Sequence, residues 1–358
     1  LEEIAMNICE FNKIKINELV KISRNAGDSP DKVQGGGGNT SVKLDERYMA
    51  VKASGFMLNQ VTPDNGYVIV DYAKIKDFYN NVDLSSGKDL EKESQEFVNN
   101  NVVEVDGLKK LRPSVEAGFH SILRDYVMHT HSVYANILCC SCEGKAEAEK
   151  IFAGSEFKWI WIPYVNPGFT LSHHINETLK KAAEADGEIP EVIFMENHGL
   201  IVHADSSERC IKLHDTVNER IKSFYNPGDF PKVLLEPSGN GFISCTEFLS
   251  SFIVREKVYK SYFYRNALYP DQLVYINSNL ESGNGKLNID FARGEVIYNT
   301  NLNEATAMEE TLTAYFYVIE NVRKAGLTLK TMTEGQIAFI MNWDLEKYRK
   351  TVIGNGGK

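Results

Sequence analysis

The sequence predicts an α/β protein with a larger N-terminal unit and a smaller C-terminal one, on three observations. Helical and extended patterns alternate along the chain up to about residue 225. A stretch rich in proline and glycine, NPGDFPKVLLEPSGNG at 226–241, then breaks the alternation. Beyond it, short strand-like runs lead into one long helical pattern. A chain of 358 residues exceeds the usual span of a single core. The expected division is therefore 1–236 and 242–358, the second unit having no assigned role.

The elements follow in order. INELVKISRNAGD has the apolar spacing of a helix, with Gly27 near its end. NTSVKL, YMAVKAS and YVIVDY read as strands, and PSVEAGFHSILR as a helix opened by Pro113 and Ser114. VMHTHSVYAN, at 127–136, reads as extended, and NILCCSC as an apolar strand end with small buried thiols. SHHINETLKKAAEADG is an amphipathic helix closing at Gly187. EVIFMENHGLIVHADS reads as two strands about an Asn197-His198-Gly199 corner, followed by the helix SERCIKLHDTVNERIKSFY. In the tail, LVYIN, KLNIDFA and EVIYNT read as strands and NEATAMEETLTAYFYVIENVRKAG as a long helix. Tyr262, Phe263 and Tyr264 are expected to be buried aromatics, and Glu309 and Glu310 a solvated helix face.

Composition excludes several partners. A net charge of -10 leaves no broad basic surface for nucleic acid. No apolar run approaches the roughly 20 residues that span a bilayer, and LEEIAMNICEF lacks the basic start and apolar core of a secretory leader. The six cysteines (Cys9, Cys139, Cys140, Cys142, Cys210 and Cys245) form neither a C-x-x-C pair nor a disulfide framework. Reduced thiols in a cytoplasmic protein are expected.

The chemistry begins at His129 and His131. In an extended chain alternate residues share a face, so these rings converge while Thr130 points away. Such a pair alone is often ordinary core. His198, delivered by a strand to a corner at Gly199, completes three imidazoles from two distant segments, the donor set of a catalytic zinc site with open positions. His203, five residues on, is expected to be exposed. Glu116, one helix before the histidine strand, is either a helix-terminal glutamate favoured by the helix dipole or, beside a metal, a proton-transfer group. The glycines of QGGGGNTSVK allow close backbone approach, so the amides near Gly37, Gly38 and Asn39 form either an anion-binding concavity or a tight hairpin. Ser54, Gly55 and Ser114 offer further donors. The run matches neither a dinucleotide fingerprint nor a P-loop.

GGGNTSVK, KASGFMLNQVTPDN, RPSVEAGFHSIL, VMHTHSVYANIL, PYVNPGF and MENHGLIVHADS occur in the order found in the class II aldolase/adducin family, which the chain resembles over residues 35 to about 205. It is similar to the family's long members, in particular the aldolase half of the bifunctional rhamnulose-phosphate aldolase/alcohol dehydrogenases, with MTEGQIAFIMNWDLEKYRK resembling their C-terminal segment. The resemblance implies α/β/α layers about a mixed, mainly antiparallel sheet, with a smaller C-terminal α/β unit. It places His129, His131 and His198 on the zinc ligands, Glu116 on the catalytic acid/base, and Gly38, Asn39, Ser54, Gly55 and Ser114 on the phosphate-binding positions. Val115 stands where short phosphoaldolases often carry a second serine. The implied reaction is zinc-dependent cleavage of a ketose, as its 1-phosphate, to dihydroxyacetone phosphate and an aldehyde through a metal-stabilised enediolate, in a homo-oligomer such as a tetramer. Related outcomes of the same chemistry are dehydration, epimerisation and decarboxylation. A non-catalytic module like the adducin head lacks the full histidine set that this sequence keeps.

Overall fold

The computed structural model describes residues 12–281 and 285–343. Cys9, the opening LEEIAMNICEF and residues 344–350 of the C-terminal motif lie outside them. In chain order the elements of the first part are α1 (Lys13–Gly27), β1 (Asn39–Lys43), β2 (Tyr48–Lys52), β3 (Tyr67–Asp71), α2 (Tyr72–Asn81), α3 (Leu90–Asn100), β4 (Val102–Val103), α4 (Ala117–Ile122), β5 (Tyr126–Thr130), α5 (Val133–Cys139), α6 (Gly144–Ile151), β6 (Trp159–Ile162), α7 (Phe169–Asp186), β7 (Val192–Met195), β8 (Gly199–Ala204) and α8 (Ser207–Tyr225). The second part holds β9 (Leu235–Ser238), β10 (Gly241–Ser244), α9 (Glu247–Arg255), α10 (Tyr262–Arg265), a π-helical turn at Gln272–Asn277 running into α11 (Ser278–Glu281), β11 (Leu287–Asp290), β12 (Glu295–Tyr298), α12 (Leu302–Lys324) and α13 (Glu334–Asn342).

Strands of the first part form one eight-stranded sheet in the order β4-β3-β2-β1-β5-β8-β7-β6. Every neighbouring pair is antiparallel except β6 with β7. Side chains alternate across it: Met128, Phe194, Leu200 and Val202 belong to the apolar cluster on one face, Val127, Ile193, Met195 and Ile201 to that on the other. Helices α1, α5 and α8 cover the first face, and α2, α4 and α7 lie on the second. The α/β/α layers and the mixed, largely antiparallel sheet are thus as expected. No helix among the described residues is long and apolar enough to cross a membrane.

A four-stranded sheet, β11-β12-β10-β9, accounts for the strands of the second part. Its first strand, β9, lies inside the stretch read as a linker. The long helix α12 packs on α5, and Phe316 and Ile319 share one apolar cluster with Tyr134 and Ile137 of α5. The C-terminal elements are therefore continuous with the core of the larger sheet.

Several local expectations are corrected. LVYIN is π-helical, not a strand, within a helical run over 270–281 that Pro270 opens. Its side chains are buried all round, and a fully buried apolar run carries no period that separates strand from helix. NILCCSC is largely helix α5, started by the Ser132 hydroxyl, which accepts the Ala135 N–H. Cys139 and Cys140 are buried and Cys142 is exposed, and the described cysteines form no disulfide. The helix expected from Pro113 begins at Ala117, because Pro113 is bridged to Ala53 as extended chain.

Glu309 and Glu310 are not a solvated face. Glu309 is fully buried, and its carboxylate accepts from Ser244 at 2.6 Å, from Thr246 at 2.5 Å and from the Tyr298 hydroxyl, tying α12 to the small sheet. Glu310 accepts the Gly35 N–H at 2.9 Å, and burial pushes its carboxyl up to about 7. The folded state thus holds this proton at pH values where the unfolded chain has released it. Stability should fall as pH rises from the ordinary carboxylate range to about 7 and level off above it. Glu310→Gln keeps an acceptor for Gly35 but cannot ionise. It is expected to raise stability by roughly 1–2 kcal/mol near pH 8 and change it little near pH 4, measured by thermal denaturation at the two pH values.

Candidate metal centre

His129 is the penultimate residue of β5, and His131 follows the strand's end. Their rings converge as the alternation requires, with the two Nε2 atoms 3.2 Å apart. His198 arrives from the corner between β7 and β8, its ring centroid 5.0 Å from that of His129 and 5.3 Å from that of His131. All three are buried, and one nitrogen of each lies within 4.8 Å of the others. The corner works differently from the sequence expectation. Asn197, not Gly199, takes the left-handed conformation, at φ 50°. Gly199 is needed for contact, since a Cβ there would stand 2.3 Å from the Thr130 carbonyl oxygen.

Hydrogen bonds assign the ring protons. The Leu200 carbonyl, 3.1 Å from His129 Nδ1, can only accept, so that nitrogen carries the hydrogen. Asp271 Oδ2, 2.6 Å from His131 Nδ1, imposes the same tautomer there. Both Nε2 atoms then present lone pairs to one point. Burial lowers the His129 imidazole to about 4 and that of His198 to about 3, so neither is protonated near neutral pH.

The carboxylate of Glu116 closes the same space, with Oε2 3.5 Å from His129 Nε2 and Oε1 3.4 Å from His198 Nε2. Glu116 precedes α4 but makes no cap bond to it, and its side chain turns inward. Burial opposes its ionisation, yet the neighbouring His129 and His198 rings and the Asn39 amide outweigh burial and hold the carboxyl down at about 2. Asn39 donates to Glu116 Oε2 at 2.6 Å and to the Ser114 hydroxyl at 3.0 Å. Its Oδ1 takes a bond from His120 Nε2, whose Nδ1 accepts from Ser41 at 2.7 Å. The register that pairs Asn39 with His129 across β1 and β5 sets this chain of bonds beside the three rings.

A buried carboxylate facing uncharged imidazole lone pairs is an excess of acceptors that the single Asn39 donor does not satisfy. Such a set is costly unless a cation sits among them. Three imidazole nitrogens suit a divalent transition metal with positions left open for substrate.

Gly38, Asn39, Ser54, Gly55 and Ser114 line one recess with Glu116, His131 and His198. The Asn39 amide is engaged with Glu116 and Ser114, and the Ser54 N–H with the Arg112 carbonyl at 2.9 Å. Sequence reasoning missed three residues here. Lys52, buried at the end of β2, also lines the recess and places Nζ 3.2 and 3.1 Å from the Gly36 and Gly38 carbonyl oxygens. A lysine ending a strand that is otherwise apolar was the available signal. His120 and Asp271 carried none. His203, expected to be exposed, is fully buried, paired in register with Val127 two residues before His129 on β5, and is not one of the three clustered rings.

Residues 17–225 match the family described as Class II Aldolase and Adducin N-terminal domain. A curated relative, Uncharacterized oxidoreductase YuxG of Bacillus subtilis (strain 168), is 30% identical over 222 residues. The match takes in 59% of this chain but only 30% of that protein, so the chain spans under a third of that relative's length. Similar solved structures include the N-terminal Class II Aldolase domain of a conserved protein from Thermoplasma acidophilum, at 26% identity and TM-score 0.48, covering 58% of this chain and 92% of that one. A sugar-phosphate aldolase from Thermotoga maritima is similar at 13% identity and TM-score 0.42, covering 63% and 99%.

Proposed function

The chain belongs to the class II aldolase and adducin family, and from that premise we propose that it is a zinc-dependent lyase that cleaves a ketose 1-phosphate to dihydroxyacetone phosphate and an aldehyde. The observation that carries this reading is the convergence of three buried imidazoles with a carboxylate 3.4–3.5 Å from two of them. His129, His131 and His198 would hold the ion, which when bound supplies Lewis-acid stabilisation of negative charge on the substrate's carbonyl and adjacent hydroxyl oxygens.

The remaining work falls to the chain's own groups. Glu116, ionised at rest, accepts the proton released from the substrate hydroxyl as the carbon-carbon bond breaks. It returns that proton to the carbon left electron-rich by cleavage. Asn39 holds Oε2, leaving Oε1 as the mobile site of protonation. The small residues Ser54, Gly55 and Ser114, with the Lys52 ammonium in the wall, form the pole that receives the phosphate.

Incubation of the zinc-loaded protein with a panel of ketose 1-phosphates tests the reaction. Release of dihydroxyacetone phosphate supports it, whereas an epimerised or dehydrated product of unchanged carbon count, or no turnover, overturns it. Lys52→Met tests the phosphate pole. One charge-assisted bond accounts for roughly a 10–100-fold rise in KM for the phosphorylated substrate, with a much smaller effect on the unphosphorylated ketose. Equal effects on both would remove Lys52 from phosphate recognition.

A further inference from the structure

Resting on the reading of the three histidines as metal ligands, we propose that Asp271, from the C-terminal part of the chain, is a positioning residue of the metal centre that acts through His131. Its carboxylate is buried, 1% exposed, and Oδ2 lies 2.6 Å from His131 Nδ1. An ionised carboxylate only accepts, so it keeps the hydrogen on Nδ1 and directs the Nε2 lone pair to the point that His129 Nε2 also faces. His129 is held by a neutral peptide carbonyl, at 3.1 Å. The two rings thus differ in what holds Nδ1, a carboxylate at His131 and a peptide dipole at His129.

Two further observations show that this contact is built. The first is Gly37, where a Cβ would stand 2.3 Å from Asp271 Oδ2 and 2.7 Å from His131 Nδ1. Any larger residue at position 37 would press directly on the pair. The second is the anchoring of Asp271 itself. Pro270 opens its helical run, and the adjacent Gln272 accepts the Leu268 N–H at 2.8 Å and donates to the Phe263 carbonyl at 2.8 Å and to Asn277 at 3.0 Å. The same region steadies the segment bearing His198, since Asn197 donates to the Leu268 and Lys330 carbonyls, each at 2.8 Å. Metal affinity is thereby coupled to the docking of the C-terminal elements.

The test uses the full chain, zinc alone and a competing chromophoric chelator. The isosteric Asp271→Asn is expected to weaken zinc binding about 10–100-fold without altering the circular dichroism of the metal-free protein. Nitrogen NMR of that metal-free protein should show His131 held in the Nδ1–H tautomer in the parent and mixed in Asp271→Asn, with His129 unchanged. Gly37→Ala, which leaves both side chains in place, should weaken zinc binding and disturb the His131 signal in the same direction. Parental affinity in Asp271→Asn overturns the proposal, as does lost affinity with an unchanged His131 tautomer, which would make Asp271 a direct ligand. Failure of the parent itself to bind zinc rejects the metal reading instead, and the tautomer measurement still reports on the pair.

Discussion

Glu116→Gln is expected to lower turnover by about 10²–10⁴-fold and to leave zinc content at the parental level. Glutamine has the shape of the native side chain and keeps an oxygen to accept the Asn39 amide, now 2.6 Å from Oε2. What it lacks is the capacity to take a proton from one substrate atom and give it to another. The three imidazoles are untouched, so the ion is retained. Rapid-quench assay of dihydroxyacetone phosphate, paired with elemental analysis of the same sample, separates the roles. Loss of both zinc and activity would make Glu116 a fourth ligand, and retention of activity would remove it from proton transfer.

The sequence made this carboxylate visible as a candidate but could not choose its role. Read along the chain, Glu116 is one more acidic residue at a helix start. Only the β1–β5 register, which pairs Asn39 with His129, turns it into the neighbour of two imidazoles. The histidine pair was legible because period two is a local property, and His129 and His131 needed nothing beyond an extended backbone to converge. The large sheet was legible for the same reason, its strands being short alternating or apolar runs bounded by turn residues. Contacts of long sequence separation were not. Asp271 is 140 residues from His131, and nothing in YPDQLVYIN distinguishes a carboxylate aimed at a buried imidazole from one in solvent. The same run misled the secondary-structure reading, since total burial erases periodicity. Glu309 and Glu310 were misread by the opposite error. Adjacent acids on a helix usually face water, but here serine, threonine and tyrosine hydroxyls from distant segments accompany Glu309 inside, and the Gly35 amide meets the half-buried Glu310.

Removal of one of the three proposed ligands gives the other large effect. His198→Ala is expected to abolish both activity and the stabilisation that zinc confers on the parent. Zinc at about a thousandfold its dissociation constant adds about 4 kcal/mol to a protein that binds it only when folded. Two remaining imidazoles bind far more weakly, so at the same zinc concentration the variant should gain almost nothing. His198 is the informative position because its ring does little for the fold without metal: Nδ1 is buried with no hydrogen-bond partner among the described residues. Its removal leaves a cavity but also deletes an unsatisfied polar atom, and these effects oppose each other. By contrast, His129 also holds the Leu200 carbonyl inside the sheet, so its replacement would mix structural damage with lost metal. Thermal denaturation of parent and His198→Ala, each with zinc and with chelator, isolates the ligand's contribution. The expected pattern is a large zinc-dependent rise in midpoint for the parent alone, with the chelated midpoints close together. An equal rise in both proteins would place the stabilising ion elsewhere and take the lyase mechanism with it.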